Sequence, residues 1–133
     1  MKKILAALLV TTALIGTATA EEKKYSVTAS APETKVSQKS VATVHVSPAS
    51  GYKINLDYPT KLTLNTADGI TLEKTKLVKA DGKVDAKGVD FSVNYTPARA
   101  GKGTITGELK FAVCSEKDCI PQVETISINV DAK

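Results

Sequence analysis

Tryptophan is absent, and histidine occurs once, as His45. A single histidine on strand-like sequence, with no evident Ser or Cys partner, offers no hydrolytic triad and makes a hydrolase the least favoured reading. A metal site needs at least a third ligand beside the two cysteines, and none of the right type lies near them in sequence. No stretch holds a helical spacing of apolar residues over a useful length. Basic residues alternate with acids and threonines and are not interleaved with aromatics, which speaks against nucleic-acid binding. There are two phenylalanines and four tyrosines, so valine, isoleucine and leucine must fill most of the core. Internal repeats and low-complexity segments are lacking too.

The amino terminus sets the expected compartment. Met1-Lys2-Lys3 is a short cationic region, Ile4 to Ile15 is apolar, and Ala18-Thr19-Ala20 is a small-x-small cleavage site. Residues 1–20 are therefore read as a signal peptide and residues 21–133 as one domain. No later apolar run approaches the ~20 residues of a membrane span, so no transmembrane span is expected after cleavage. No cysteine stands at the cleavage site to take a lipid. Removing 20 of the 133 residues leaves 113, enough for one real core. The formal charge of +4 includes Lys2 and Lys3, so the exported chain carries +2 and its charge names no partner. The lysine-rich start looks bacterial, and the expected location is periplasmic or secreted. There, thiols pair and stay paired.

The remaining chain reads as short strands. Lys24–Ala29 is a first strand at an edge, and Val41–Val46 is a second. His45 alternates with Val44 and Val46 and is expected on the solvent side. Tyr52–Asn55, Lys61–Asn65 and a run from Ile70 to near Val78 follow. Lys79–Gly88, with two glycines and mixed charges, is expected to be a mobile loop. Val89–Thr96 alternates most clearly, and the last two strands run about Thr104–Cys114 and Cys119–Val130. Seven to nine short strands with turn signals every eight to twelve residues predict an all-β, immunoglobulin-like antiparallel sandwich.

Cys114 and Cys119 flank the four residues Ser115–Asp118. Four is a common hairpin-loop length, and the residues closing such a loop lie close enough for a disulfide. Ile105, Leu109, Phe111 and Val113 are odd-numbered and apolar, while Thr104, Thr106, Glu108 and Lys110 are even and polar. Cys114 is even, which predicts a partly exposed position on the polar face. A ring this small stabilises by about 2 kcal/mol, against about 4 for a sixty-residue ring. The pair is either a minor staple or a redox site, where exchange needs an accessible sulfur. Lys117 in the loop and Lys110 on the strand are candidates to stabilise a thiolate; Glu116 and Asp118 oppose it.

Phe111-Ala112-Val113-Cys114-x4-Cys119-Ile120-Pro121 resembles the cysteine hairpin of the N-terminal periplasmic domain of the thiol:disulfide interchange protein DsbD. Gly51-Tyr52-Lys53-Ile54-Asn55 is similar to that family's Gly-Tyr strand, and Pro97-Ala98-Arg99-Ala100-Gly101 to its turn before the cysteine strand. The resemblance implies an immunoglobulin-like fold with no cofactor. It implies that Cys114 and Cys119 form a redox-active disulfide, with Tyr52, Lys117 and Pro121 as its neighbours. It further implies exchange with thioredoxin-like periplasmic proteins and a membrane electron-transfer protein, the partner joining Cys119 in the mixed disulfide while Cys114 resolves it. This sequence departs from the family at Gln122, where a second proline is usual, and at Lys53 and Asn55, where aromatics are usual. No aromatic cap residue lies within Lys79–Gly88, and neither a membrane segment nor a thioredoxin domain follows. The rival reading is a non-catalytic binding or assembly module whose hairpin disulfide is structural.

Overall fold

The computed structural model describes residues 24–65 and 67–133; the expected signal peptide lies outside them. Ten strands are formed: β1 (Tyr25–Ser30), β2 (Ser40–Pro48), β3 (Lys53–Ile54), β4 (Lys61–Leu64), β5 (Ile70–Leu72), β6 (Lys76–Val78), β7 (Lys83–Asp85), β8 (Gly88–Pro97), β9 (Gly101–Cys114) and β10 (Cys119–Ala132). One sheet has the order β1-β2-β8-β5, with β7 also on β8; the other is β10-β9-β4-β6, with β3 also on β9. Every strand pairing is antiparallel. First, second, late and middle strands in one sheet, with the last two and a middle strand in the other, is the immunoglobulin arrangement. The protein is an immunoglobulin-like β-sandwich.

Strand alternation builds the core. Val44, Val46, Phe91, Val93 and Tyr95 point inward from the first sheet, and Leu62, Ile105, Leu109, Phe111, Val113 and Ile128 from the second. Both phenylalanines are fully buried. Gly107 permits a close approach: a Cβ there would lie 2.5 Å from the Thr63 carbonyl oxygen. β4 and β9 could not otherwise pair as tightly at that point.

Two expectations change. The run from Ile70 to Val78 is not continuous. β5 joins the first sheet and β6 the second, so the chain crosses between the layers at Glu73–Thr75. Lys79–Gly88 is not a mobile loop. Lys79–Asp81 forms a 3-10 turn, and β7 pairs with β8. The Asp81 carboxylate accepts the Val78 N–H at 2.9 Å and an ion pair from Lys74, also at 2.9 Å. These two contacts, the backbone bond first, hold its pKa below the usual carboxylate value. Local polar chemistry thus orders a segment that composition alone marks as loose.

After β1 the chain passes to the edge of the second sheet, where Thr34 bridges Ala132 in parallel. Thr34 N donates to the Asp131 oxygen at 3.1 Å, Lys133 N to the Thr34 oxygen at 2.9 Å, and Val36 N to the Lys133 oxygen at 3.1 Å.

Candidate functional site

β9 and β10 are each 14 residues long and form one unbroken hairpin, from Gly101↔Ala132 to Cys114↔Cys119. The tip is closed by Ser115 N donating to the Asp118 oxygen at 2.7 Å. The Ser115 hydroxyl oxygen accepts both the Lys117 and the Asp118 N–H, each at 3.2 Å. Because Ser115 and Asp118 are the hydrogen-bonded pair, alternation makes Cys114 and Cys119 the non-bonded pair, whose side chains lie closest. Their Cα atoms are 4.0 Å apart, and the two sulfurs form a disulfide.

The two cysteines differ in exposure. Cys114 is only 6% exposed, whereas Cys119 is exposed. This corrects the expectation that Cys114 is partly exposed. Parity does place it on the outward face, as the mate of exposed Lys53 in the β3–β9 register. But β9 is a central strand, with β10 on one side and β3 on the other, while β10 ends its sheet. The central strand is covered and the edge strand is not.

The outward face around the bridge mixes exposed lysines, Lys53 and Lys110, with apolar residues. Ala112 pairs with Pro121 and Lys110 with Val123; Pro121 is exposed and Val123 is 58% exposed. Farther from the tip the same face turns polar, through Glu108/Thr125, Thr106/Ser127 and Thr104/Asn129. Pro121 sits without strain because an edge strand need not donate on its free side.

The charged candidates separate. Lys117 is exposed at the tip, and its side chain has no ion pair among the described residues. Lys110 lies four residues, roughly 13 Å, along the strand from Cys114 and pairs with Glu108 at 3.7 Å. It is too far to steady a thiolate there. Lys53, which stands where the resemblance implies an aromatic near the cysteines, is set in register beside Cys114 on the same face. The exact register has no local signal, because a two-residue strand declares none. Tyr52, half-buried against the core, precedes Lys53 and so stands at the cysteine end of the sandwich.

Beneath the hairpin, the Tyr25 ring meets Phe111 edge-on at 4.9 Å. Its hydroxyl donates to Glu124 and lies 3.4 Å from the Gln122 side-chain oxygen. Burial, and then the Glu124 bond, push the Tyr25 pKa up to about 12. Gln122, where the DsbD family has proline, therefore faces inward and takes part in the contact between the sheets. His45 stands on the other sheet. Its side chain is 42% exposed and its Nδ1 meets Asp90 across the strands at 2.5 Å. It takes no part in the disulfide site. Among the described residues no group of three or more His, Cys, Asp or Glu side chains converges on a common point, and no helix is long and apolar enough to cross a membrane.

No family model matches the sequence, and no curated protein matches it. Its fold is similar to that of several solved structures. One is AggA, the major subunit of aggregative adherence fimbriae type I from Escherichia coli, at 13% identity and a TM-score of 0.43 over 84% of this chain and 97% of that one. Another is WR4, a C. elegans MSP family member, at 7% identity and a TM-score of 0.42 over 80% and 97%. A third is the ASH/PapD-like domain 7 of human CEP192, at 8% identity and a TM-score of 0.40 over 99% and 98%.

Proposed function

We propose that this protein is an exported thiol–disulfide exchange module that passes electrons through Cys114 and Cys119 to or from thioredoxin-like partners. The observation that carries the reading is the asymmetry of the bridge: an exposed Cys119 opening an edge strand, joined to a buried Cys114. Exchange needs in-line access to one sulfur and a leaving thiolate on the other. A partner thiolate attacks Sγ of Cys119. The Cys114–Cys119 bond breaks, a partner–Cys119 bond forms, and Cys114 leaves as the thiolate. The partner's second thiolate then attacks its own sulfur in the mixed disulfide and releases Cys119 as a thiolate. The partner ends oxidised, the hairpin reduced, and two electrons have moved. In reverse, the reduced hairpin donates them.

Three further features support the reading. Lys53 beside Cys114 favours a departing thiolate. Exposed Pro121 and Val123 beside the bridge give a partner apolar contacts within a lysine-bearing rim. The ring encloses too little chain to matter much as a staple. The test is capture. Cys114→Ala leaves Cys119 free and is expected to accumulate mixed disulfides when expressed with export intact, while Cys119→Ala is expected to accumulate none. If neither variant captures a thioredoxin-like protein, or if the pair has a potential below about −300 mV, as structural bridges do, the bridge is a staple and the rival reading stands.

A further inference from the structure

β10 is the edge of its sheet, and most of that edge is open. Its register with β9 runs without a slip, so its backbone groups alternate: one residue's N–H and C=O face β9, and the next residue's face away. The crossing at Thr34 fixes the phase, because Asp131 and Lys133 are the residues that bond outward. Odd-numbered residues therefore face away. Val123, Thr125, Ser127 and Asn129 present outward N–H and C=O groups, and among the described residues no backbone hydrogen bond meets them. This open stretch is bounded. Pro121, also odd-numbered, has no N–H to offer, and the Thr34 crossing occupies the edge at Asp131–Lys133. Between them lies a slot of roughly 20 Å, the length of an ordinary strand.

Between Val123 and Asn129 the edge has no lysine, no bulge and no shortening; of the usual protections the strand has only Pro121 at its start and the inward-facing Glu124. It is 14 residues long and paired without interruption. None of the chain's 18 lysines and arginines lies between Cys119 and Ala132. Its inward-facing Glu124 is engaged by the Tyr25 hydroxyl. Beside the edge runs β1, itself the edge of the other sheet. A cleft of about 290 Å³, mostly polar in its lining, lies between Tyr25, Val27 and Ala29 on β1 and Glu124–Ser127 on β10. A second cleft, of about 560 Å³, lies between Ala31 and Asn129–Asp131.

We propose that this seam is a strand-addition site for an extended segment of a partner polypeptide, about seven residues long, uncharged, with small side chains such as threonine and valine, able to meet both Val27 and Ala29 and the polar lining, at the positions that face the cleft. An extended backbone offers donors and acceptors at the repeat of about 6.8 Å that these four residues require. Alternate side chains would then enter the cleft against Val27 and Ala29, and the others would lie outside beside Thr125 and Ser127. β10 of a second copy fits less well, since its inward Ile126, Ile128 and Val130 are buried in its own core and cannot fill the cleft.

The probe is an acetylated, amidated peptide of alternating threonine and valine, with two terminal lysines for solubility. On saturation, amide exchange is expected to slow at least about tenfold at Val123, Thr125, Ser127 and Asn129, the even-numbered amides being unchanged. Ser127→Pro removes an outward donor in the manner of Pro121 and is expected to weaken binding about tenfold or more. The fully N-methylated peptide is expected not to bind, a control that does not depend on the variant folding. The proposal is overturned if the peptide protects none of the four amides, or if the N-methylated peptide binds equally well. It is also overturned if the protein alone sediments as a dimer that Ser127→Pro dissolves, which would assign the edge to a second copy.

Discussion

The ring between Cys114 and Cys119 sets how far the fold and the disulfide support one another. The two residues are five apart in sequence. Cross-linking so short a segment removes chain entropy from the unfolded state worth about 2 kcal/mol. Folding and oxidation form a thermodynamic cycle, so the same free energy must appear as a shift in reduction potential between the folded and unfolded chain. At about 30 mV per 1.4 kcal/mol for a two-electron couple, the shift is about 45 mV. Its sign follows from the cycle: the bridge stabilises the native state, so folding lowers the potential. Nothing else in the fold leans on the bridge. The hairpin is closed independently by the Ser115–Asp118 bond and by its ladder, and Cys114 lies outside the inward row of Leu109, Phe111 and Val113. Urea unfolding of the oxidised and the dithiothreitol-reduced protein should differ by about 2 kcal/mol with little change in slope. Glutathione equilibration should give a native potential above about −300 mV. A stability gap of about 4 kcal/mol or more would refute the reasoning, because the bridge would then be holding more than its own turn.

The remaining predictions probe the same surroundings. In single-cysteine variants, the Cys119 thiol of Cys114→Ala should be alkylated by iodoacetamide at least about tenfold faster than the Cys114 thiol of Cys119→Ala, since Cys114 reacts only when the tip opens; equal rates count against the asymmetry. Lys53→Met should slow reduction of the bridge by dithiothreitol a few-fold at constant pH, because the leaving Cys114 thiolate loses a neighbouring positive charge, and Lys53→Arg should restore it; no change in either variant removes Lys53 from the site. For Tyr25, folding raises the pKa from 10.0 to about 12, so the unfolded chain gives up its proton first. Its contribution to stability is complete below about pH 10 and lost between about 10 and 12. Urea titrations of the wild type should therefore fall more steeply than those of Tyr25→Phe across that window, and parallel curves would show that burial and the Glu124 bond do not raise the Tyr25 pKa in solution.

Much of the sandwich is legible in alternation. The odd-numbered apolar row of β9 and the Ile126, Ile128, Val130 row of β10 face the core as their parity requires. Parity does not carry strand position within a sheet. It puts Cys114 and Cys119 on one face, yet one is buried and the other exposed because one belongs to a central strand and the other to an edge strand. The resemblance brings Lys53 to the neighbourhood of the cysteines, but its register with Cys114 is not legible, because a long-range pairing of two residues sets it. The division of Ile70–Val78 between two sheets, and the ordering of Lys79–Asp85 by the Asp81 carboxylate, depend likewise on partners distant in sequence or on one side-chain bond.

The edge position of β10 has two consequences at once, and Pro121 stands between them. Because the strand ends its sheet, Cys119 is uncovered at its start, and farther along Val123–Asn129 is paired only on its β9 side. A strand added at Val123–Asn129 would run out of donors at Pro121, two residues short of Cys119. Occupancy of the slot should therefore leave the sulfur reachable. With the alternating threonine–valine peptide at saturation, the rate of bridge reduction by dithiothreitol is expected to match that of the free protein. Pro121→Thr restores the missing N–H and extends the edge to the tip, so in that variant the same peptide should slow reduction severalfold. If the peptide already slows reduction in the wild type, Pro121 is no boundary, and partner docking and strand addition compete for one surface.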